Sequence, residues 1–152
     1  MKTLLILLLT LETLLTAATP KDLLGSWRLE RRFAVDGERH VERENLRFRP
    51  GTFQLTLRVD IAKGDLRVEG LTIRADGLWK IQGETLVLVL QQIVFAGVDS
   101  TRGIDEASFK SLTRQLRSRY LDNPIRILHL LHVDGKTLTV KSPEGGERSY
   151  RR

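Results

Sequence analysis

Gly25-Ser26-Trp27-Arg28-Leu29 opens the first run of this chain in which apolar and polar residues alternate, directly after an apolar leader that ends near Ala18. Alternation with a period of two is the pattern of a strand with one face on a core and the other in water. A Gly-x-Trp in that place points to a small exported β-barrel.

Upstream, Met1-Lys2 supplies a positive start, Leu4 to Leu15 is apolar except for Thr10, Glu12 and Thr13, and Thr16-Ala17-Ala18 offers small residues for cleavage. Residues 1–18 therefore read as a secretory signal peptide. An uncleaved anchor fits less well, because a span needs roughly 20 apolar residues and a glutamate near its centre is costly. The chain has no cysteine, hence neither disulfides nor a thiol to acylate at the cleavage site. A soluble periplasmic or secreted product is expected, with residues 19–152 forming one domain.

Downstream, Trp27 to Val35 turns at Asp36-Gly37 into Arg39 to Phe48, and Pro50-Gly51 leads into Phe53 to Ile61. Lys63-Gly64 leads into Leu66 to Ile73, Asp76-Gly77 into Leu78 to Ile81, and Gly83-Glu84 into Leu86 to Phe95. After one helical insert, Ile125 to Val133 turns at Asp134-Gly135 into Thr137 to Lys141, and Glu144-Gly145-Gly146 leads into Arg148 to Arg151. Glycine-containing turns between alternating runs predict hairpins. The expectation is an all-β, antiparallel up-and-down barrel of about eight to nine strands. The apolar phase slips from Leu66 and Val68 to Leu71 and Ile73, which predicts a bulge at Glu69-Gly70 that bends the sheet toward closure.

The insert, residues 105–121, reads as an amphipathic helix with Phe109, Leu112, Leu116 and Tyr120 on one stripe. Asp105 caps its start, Arg114, Arg117 and Arg119 suit its negative end, and Asn123-Pro124 stops it. Its simplest role is a lid or plug at one barrel end. Leu86 to Leu90 and most of Ile125 to Leu131 are apolar on both faces. Their outer faces are expected beneath the helix or in a subunit contact.

Leu24 to Leu29 resembles the first-strand signature of lipocalins and of bacterial lipocalin-like domains, and Gly77 to Leu86 resembles a second stretch of the latter. Leu131 to Leu138 followed by Ser149-Tyr150-Arg151 is similar to their closing hairpins. The resemblance implies that Trp27 packs at the closed end of the barrel and that Arg151 supplies a cation over its indole. It departs in its helix, which lipocalins place after the eighth strand.

A two-residue turn at Asp36-Gly37 sets Arg31 opposite Glu42, Leu29 opposite Glu44 and Phe33 opposite His40, all on the interior face of Trp27. A tight turn at Pro50-Gly51 then sets Glu42 opposite Val59 and Glu44 opposite Leu57. Interior charges are costly unless paired or hydrated. One reading is a polar grip in which Arg31, helped by His40, Glu42 and Glu44, binds a ligand's carboxylate or phosphate. The others are an internal Arg31–Glu42 pair and a frayed strand. Leu55, Leu57, Val59, Ile73, Trp79, Leu88 and Leu90 are the expected cavity walls.

The net charge of +6 favours anionic partners; for an exported protein nucleic acid ranks last. Arg39, Arg43, Arg47 and Arg49 form one outward row, with Glu30 opposite Arg43. Lys110, Arg114 and Arg117, joined by Arg119 and Arg126, form a basic helix surface suited to anionic lipid. His129 and His132 alternate to opposite strand faces, so a shared metal is not expected. Neither a nucleophile elbow nor a phosphate-binding loop occurs, and neither cofactor nor enzyme activity is expected.

Two functions remain. One is an exported monomer that holds a small apolar or amphipathic ligand in the barrel. The other is a non-catalytic envelope protein that contacts anionic lipid, glycan or a protein through its basic surface. An interior cavity of roughly 300 Å³ or more would favour the first, and a filled barrel the second.

Overall fold

The computed structural model describes residues 17–152, so the leader proper lies outside the described residues. A short helix α1 (Pro20–Leu23) precedes β1 (Gly25–Val35), β2 (Glu38–Arg49), β3 (Thr52–Lys63), β4 (Leu66–Gln82), β5 (Thr85–Gly97) and β6 (Ser100–Arg102). Helix α2 (Glu106–Leu121), β7 (Ile125–Val133), β8 (Thr137–Lys141) and β9 (Glu147–Arg151) follow. The sheet runs β3-β2-β1-β9-β8-β7-β5-β4, and β4 pairs back onto β3. This closes an eight-stranded antiparallel barrel without a free edge. The extra strand β6 pairs with the start of β4.

The registers follow from turn chemistry and alternation. Asp36 and Gly37 both have positive φ, 51° and 78°, the pair of conformations that a two-residue hairpin needs. Arg31 accordingly faces Glu42, Leu29 faces Glu44 and Trp27 faces Leu46, while β3 sets Val59 against Glu42 and Leu57 against Glu44. The bulge lies at Glu69-Gly70: Val59 pairs with Leu71 but Ile61 with Val68, so two residues of β4 oppose Asp60 alone. The Gly70 N–H donates to Asp60 Oδ1 at 2.8 Å, which fixes the kink.

Asp76-Gly77 is not a turn. β4 passes through it as one strand of 17 residues, which merges two expected strands. The glycine serves close approach instead: a Cβ at Gly77 would collide with the Val89 carbonyl oxygen and the Phe53 ring.

At the closed end, the Trp27 indole N–H donates to the Leu23 carbonyl at 2.7 Å, and both residues are fully buried. The cation over the indole is Arg152, 4.5 Å from the ring centroid, and not Arg151. Alternation supplies the reason: Tyr150 points inward from β9 and is buried, so Arg151 points outward and Arg152 returns to the inner phase.

Asp105 caps α2 by accepting from the Ser108 N–H at 2.8 Å, and Phe109, Leu112, Leu116 and Tyr120 pack against the core. Phe109 meets Phe95 edge-on at 6.0 Å. The helix therefore lies across the open end beside the far end of β5 and does not cover the outer faces of β5 and β7. Ile125 and Ile127 remain about half exposed, at 51% and 53%, and Leu78 and Val89 continue their patch across the sheet.

Candidate functional site

Three strands converge on one buried carboxylate. β2 carries Glu44 inward in phase with Glu42 and Leu46, and β9, on the other side of β1, brings Arg148 and Tyr150 to it. Glu44 Oε2 accepts from the Tyr150 hydroxyl at 2.7 Å, and Oε1 accepts from Arg148 Nη1 at 3.1 Å. Arg31 approaches Glu44 Oε1 to 4.0 Å but bonds directly to Glu42. Glu44 is only 7% exposed, and these donors compensate its lost hydration.

Burial pushes the Tyr150 phenol well above its ordinary pKa, and the Glu44 charge pushes it further. Burial also raises Tyr120, with Glu44 as the next cause. For Arg148, burial alone would lower the pKa, but the charge of Glu44 together with Tyr150 and Tyr120 more than offsets this and holds the guanidinium protonated.

Beside this cluster lies a cavity of about 160 Å³ inside the barrel. Leu86, Leu88, Leu90, Leu138 and Val140 form its apolar floor, and Tyr120, Arg126, Ser142, Glu144 and Arg148 its polar mouth. The Arg126 guanidinium stacks on the Tyr120 ring at 4.6 Å. Its strand position is inward, opposite Leu88. The barrel is thus neither hollow on the 300 Å³ scale nor solidly filled.

Of the residues expected to bind ligand, Glu44, Leu55, Leu88 and Leu90 line this cavity. Arg31 and Glu42 do not; they form the internal pair, which removes Arg31 as the cavity's polar anchor. His40 stacks on Phe33 at 5.0 Å and lies 3.2 Å from Glu38, outside the cavity. Leu57 and Val59 belong to the packed core. Trp79 packs edge-on against Phe48 and donates to the Arg49 carbonyl at 2.7 Å. Ile73 lines a separate groove under α2. Sequence reasoning missed Tyr120, Leu138, Val140, Arg148 and Tyr150. The alternation through Tyr150 already places Arg148 inward.

The basic surface also divides. Lys110 pairs with Glu106 at 2.7 Å, while Arg114, Arg117 and Arg119 lie on α2 and Arg126 sits at the cavity mouth. On β2, Arg43 bonds Glu30 at 3.1 Å and Asp60 at 2.7 Å, which breaks the row of Arg39, Arg47 and Arg49. Among the described residues no group of three His, Cys, Asp or Glu side chains could hold a metal ion.

Neither protein-family models nor curated proteins match this chain. Solved structures do. A lipocalin-like protein from Bacteroides uniformis ATCC 8492 superposes with a TM-score of 0.51 at 16% identity, covering 86% of this chain and 98% of the other. An uncharacterized protein from Bacteroides eggerthii DSM 20697 superposes with a TM-score of 0.50 at 18% identity, with the same coverage. The fold is lipocalin-like.

Proposed function

We propose that the protein is an exported carrier which holds a small apolar or amphipathic ligand inside the barrel, against the leucine floor and beneath Tyr120 and Arg126. One observation carries this reading: a closed barrel keeps an apolar cavity of about 160 Å³ with a polar mouth where close packing would otherwise fill the space. Apolar cavities of about 150 Å³ accept benzene-sized molecules. The ligand is correspondingly small, or inserts only one apolar end. Glu44 is engaged by Tyr150 and Arg148, which favours binding over acid–base catalysis at this site. The apolar leader and small residues at 16–18 support export.

Native mass spectrometry of the protein, purified without detergent from an exporting host, tests this. A bound mass that disappears on denaturation is expected, and Leu88→Trp, whose indole intrudes into the cavity, should reduce it strongly. A clean mass for the chain, or an adduct undiminished in Leu88→Trp, would sink the reading.

A further inference from the structure

The second groove, of about 290 Å³, lies between α2 and the β4–β5 wall. Its floor is apolar: Ile73 and Ile93, 6% and 8% exposed, line it together with Phe95. Its lip is basic, with Lys110, Arg114 and Arg117 at helical spacing. Lys110 is neutralised by Glu106, whereas Arg114 and Arg117 make no ion pair among the described residues. Like charges three apart share one helix face and repel. An anion between the two guanidinium groups would relieve that repulsion and accept hydrogen bonds from both.

We infer that this groove is a binding site for a single alkyl chain ending in a carboxylate or phosphate. The chain lies on Ile73, Ile93 and Phe95, and the head sits between Arg114 and Arg117. One chain fits better than a bilayer surface, because α2 and the sheet wall enclose the apolar floor from two sides. The volume falls at the lower limit of small-molecule sites, roughly 300 Å³. The groove shares no lining residue with the barrel cavity, so the inference holds whether or not that cavity is occupied.

Calorimetric titration of the full-length chain with monomeric decanoate, together with amide chemical-shift mapping, tests it. Shifts are expected at Ile93, Phe95, Arg114 and Arg117. The Arg114→Ala/Arg117→Ala double variant should weaken binding about tenfold or more, since two charge-assisted hydrogen bonds are lost. Decanol, with the same chain and no charge, should bind wild type as weakly as decanoate binds that variant. A charge-matched control, Arg39→Ala/Arg47→Ala, should bind decanoate like wild type. The inference is overturned by decanoate that fails to bind, by equal binding to the double variant, or by shifts confined to Leu88, Leu138 and Tyr150. Binding to anionic vesicles without binding of decanoate would overturn it in favour of a membrane contact.

Discussion

The two ends of the barrel satisfy their buried polar groups in different ways. At the closed end, Trp27 bonds the Leu23 carbonyl and Arg152 bonds the carbonyls of Asp22 and Leu24, so side chains meet fixed backbone and the packing is solid. At the open end, Glu44 bonds Tyr150 and Arg148, and Arg31 bonds Glu42, so side chains meet side chains beside a cavity. Backbone acceptors hold their place through the sheet and helix, whereas a side-chain network holds only as a set. The closed end is therefore built for stability, and the open end has the adaptable polar groups that a binding site needs.

Trp27→Ala is the harshest way to break this contrast. It removes the largest fully buried side chain together with its hydrogen bond and its stacked cation, and should destabilise by about 3–5 kcal/mol in denaturant unfolding. A loss below about 1 kcal/mol, the scale of an ordinary substitution, would mean that the closed end does not anchor the fold.

Glu44→Ala probes the other end and should cost about 2 kcal/mol, by leaving the Tyr150 hydroxyl and Arg148 without their acceptor. It also carries a pH signature. The chain has two tyrosines, and burial first, then Glu44, raises both above the ordinary value near 10. A raised folded pKa stabilises fully below the unfolded value and loses that contribution as pH climbs through the folded one. Wild type should therefore show no tyrosinate absorbance as pH passes about 10, and its stability should fall above that point. In Glu44→Ala the tyrosines should ionise closer to the ordinary value. Tyrosinate appearing in folded wild type at the ordinary pH would remove the buried network.

Local pattern made the first three strands readable. Asp36-Gly37 set the register that put Glu42 and Glu44 on the inner face, and the phase slip at Glu69-Gly70 located the bulge. The site itself was less legible, because Glu44 meets Arg148 and Tyr150 only after closure brings together strands more than a hundred positions apart. Alternation says which residues face inward; it does not say which of them meet. For Arg31 the sequence left open both a ligand anchor and an internal pair with Glu42 directly opposite, and the structure has the pair. At Asp76-Gly77 the dipeptide suggested a turn, whereas the lack of a side chain at Gly77 answers to Phe53 and the Val89 carbonyl. The outer apolar patch at Ile125 and Ile127 was visible, but the position of α2 depends on where Phe109 finds Phe95.

The smallest effect sharpens the comparison most, because it separates adjacent residues of one type. Arg152 lies 4.5 Å from the Trp27 ring and donates to the carbonyls of Asp22 at 3.1 Å and Leu24 at 2.7 Å. Arg152→Ala should cost about 1 kcal/mol through the lost cation–π contact and hydrogen bonds. Arg151 is exposed on the outer face of β9, and Arg151→Ala should stay within about 0.5 kcal/mol of wild type. Arg152→Lys should fall between them, since an ammonium keeps the charge but loses the planar guanidinium over the indole. Equal losses at Arg151 and Arg152 would show that general charge near the chain end, and not this contact, stabilises the closed end.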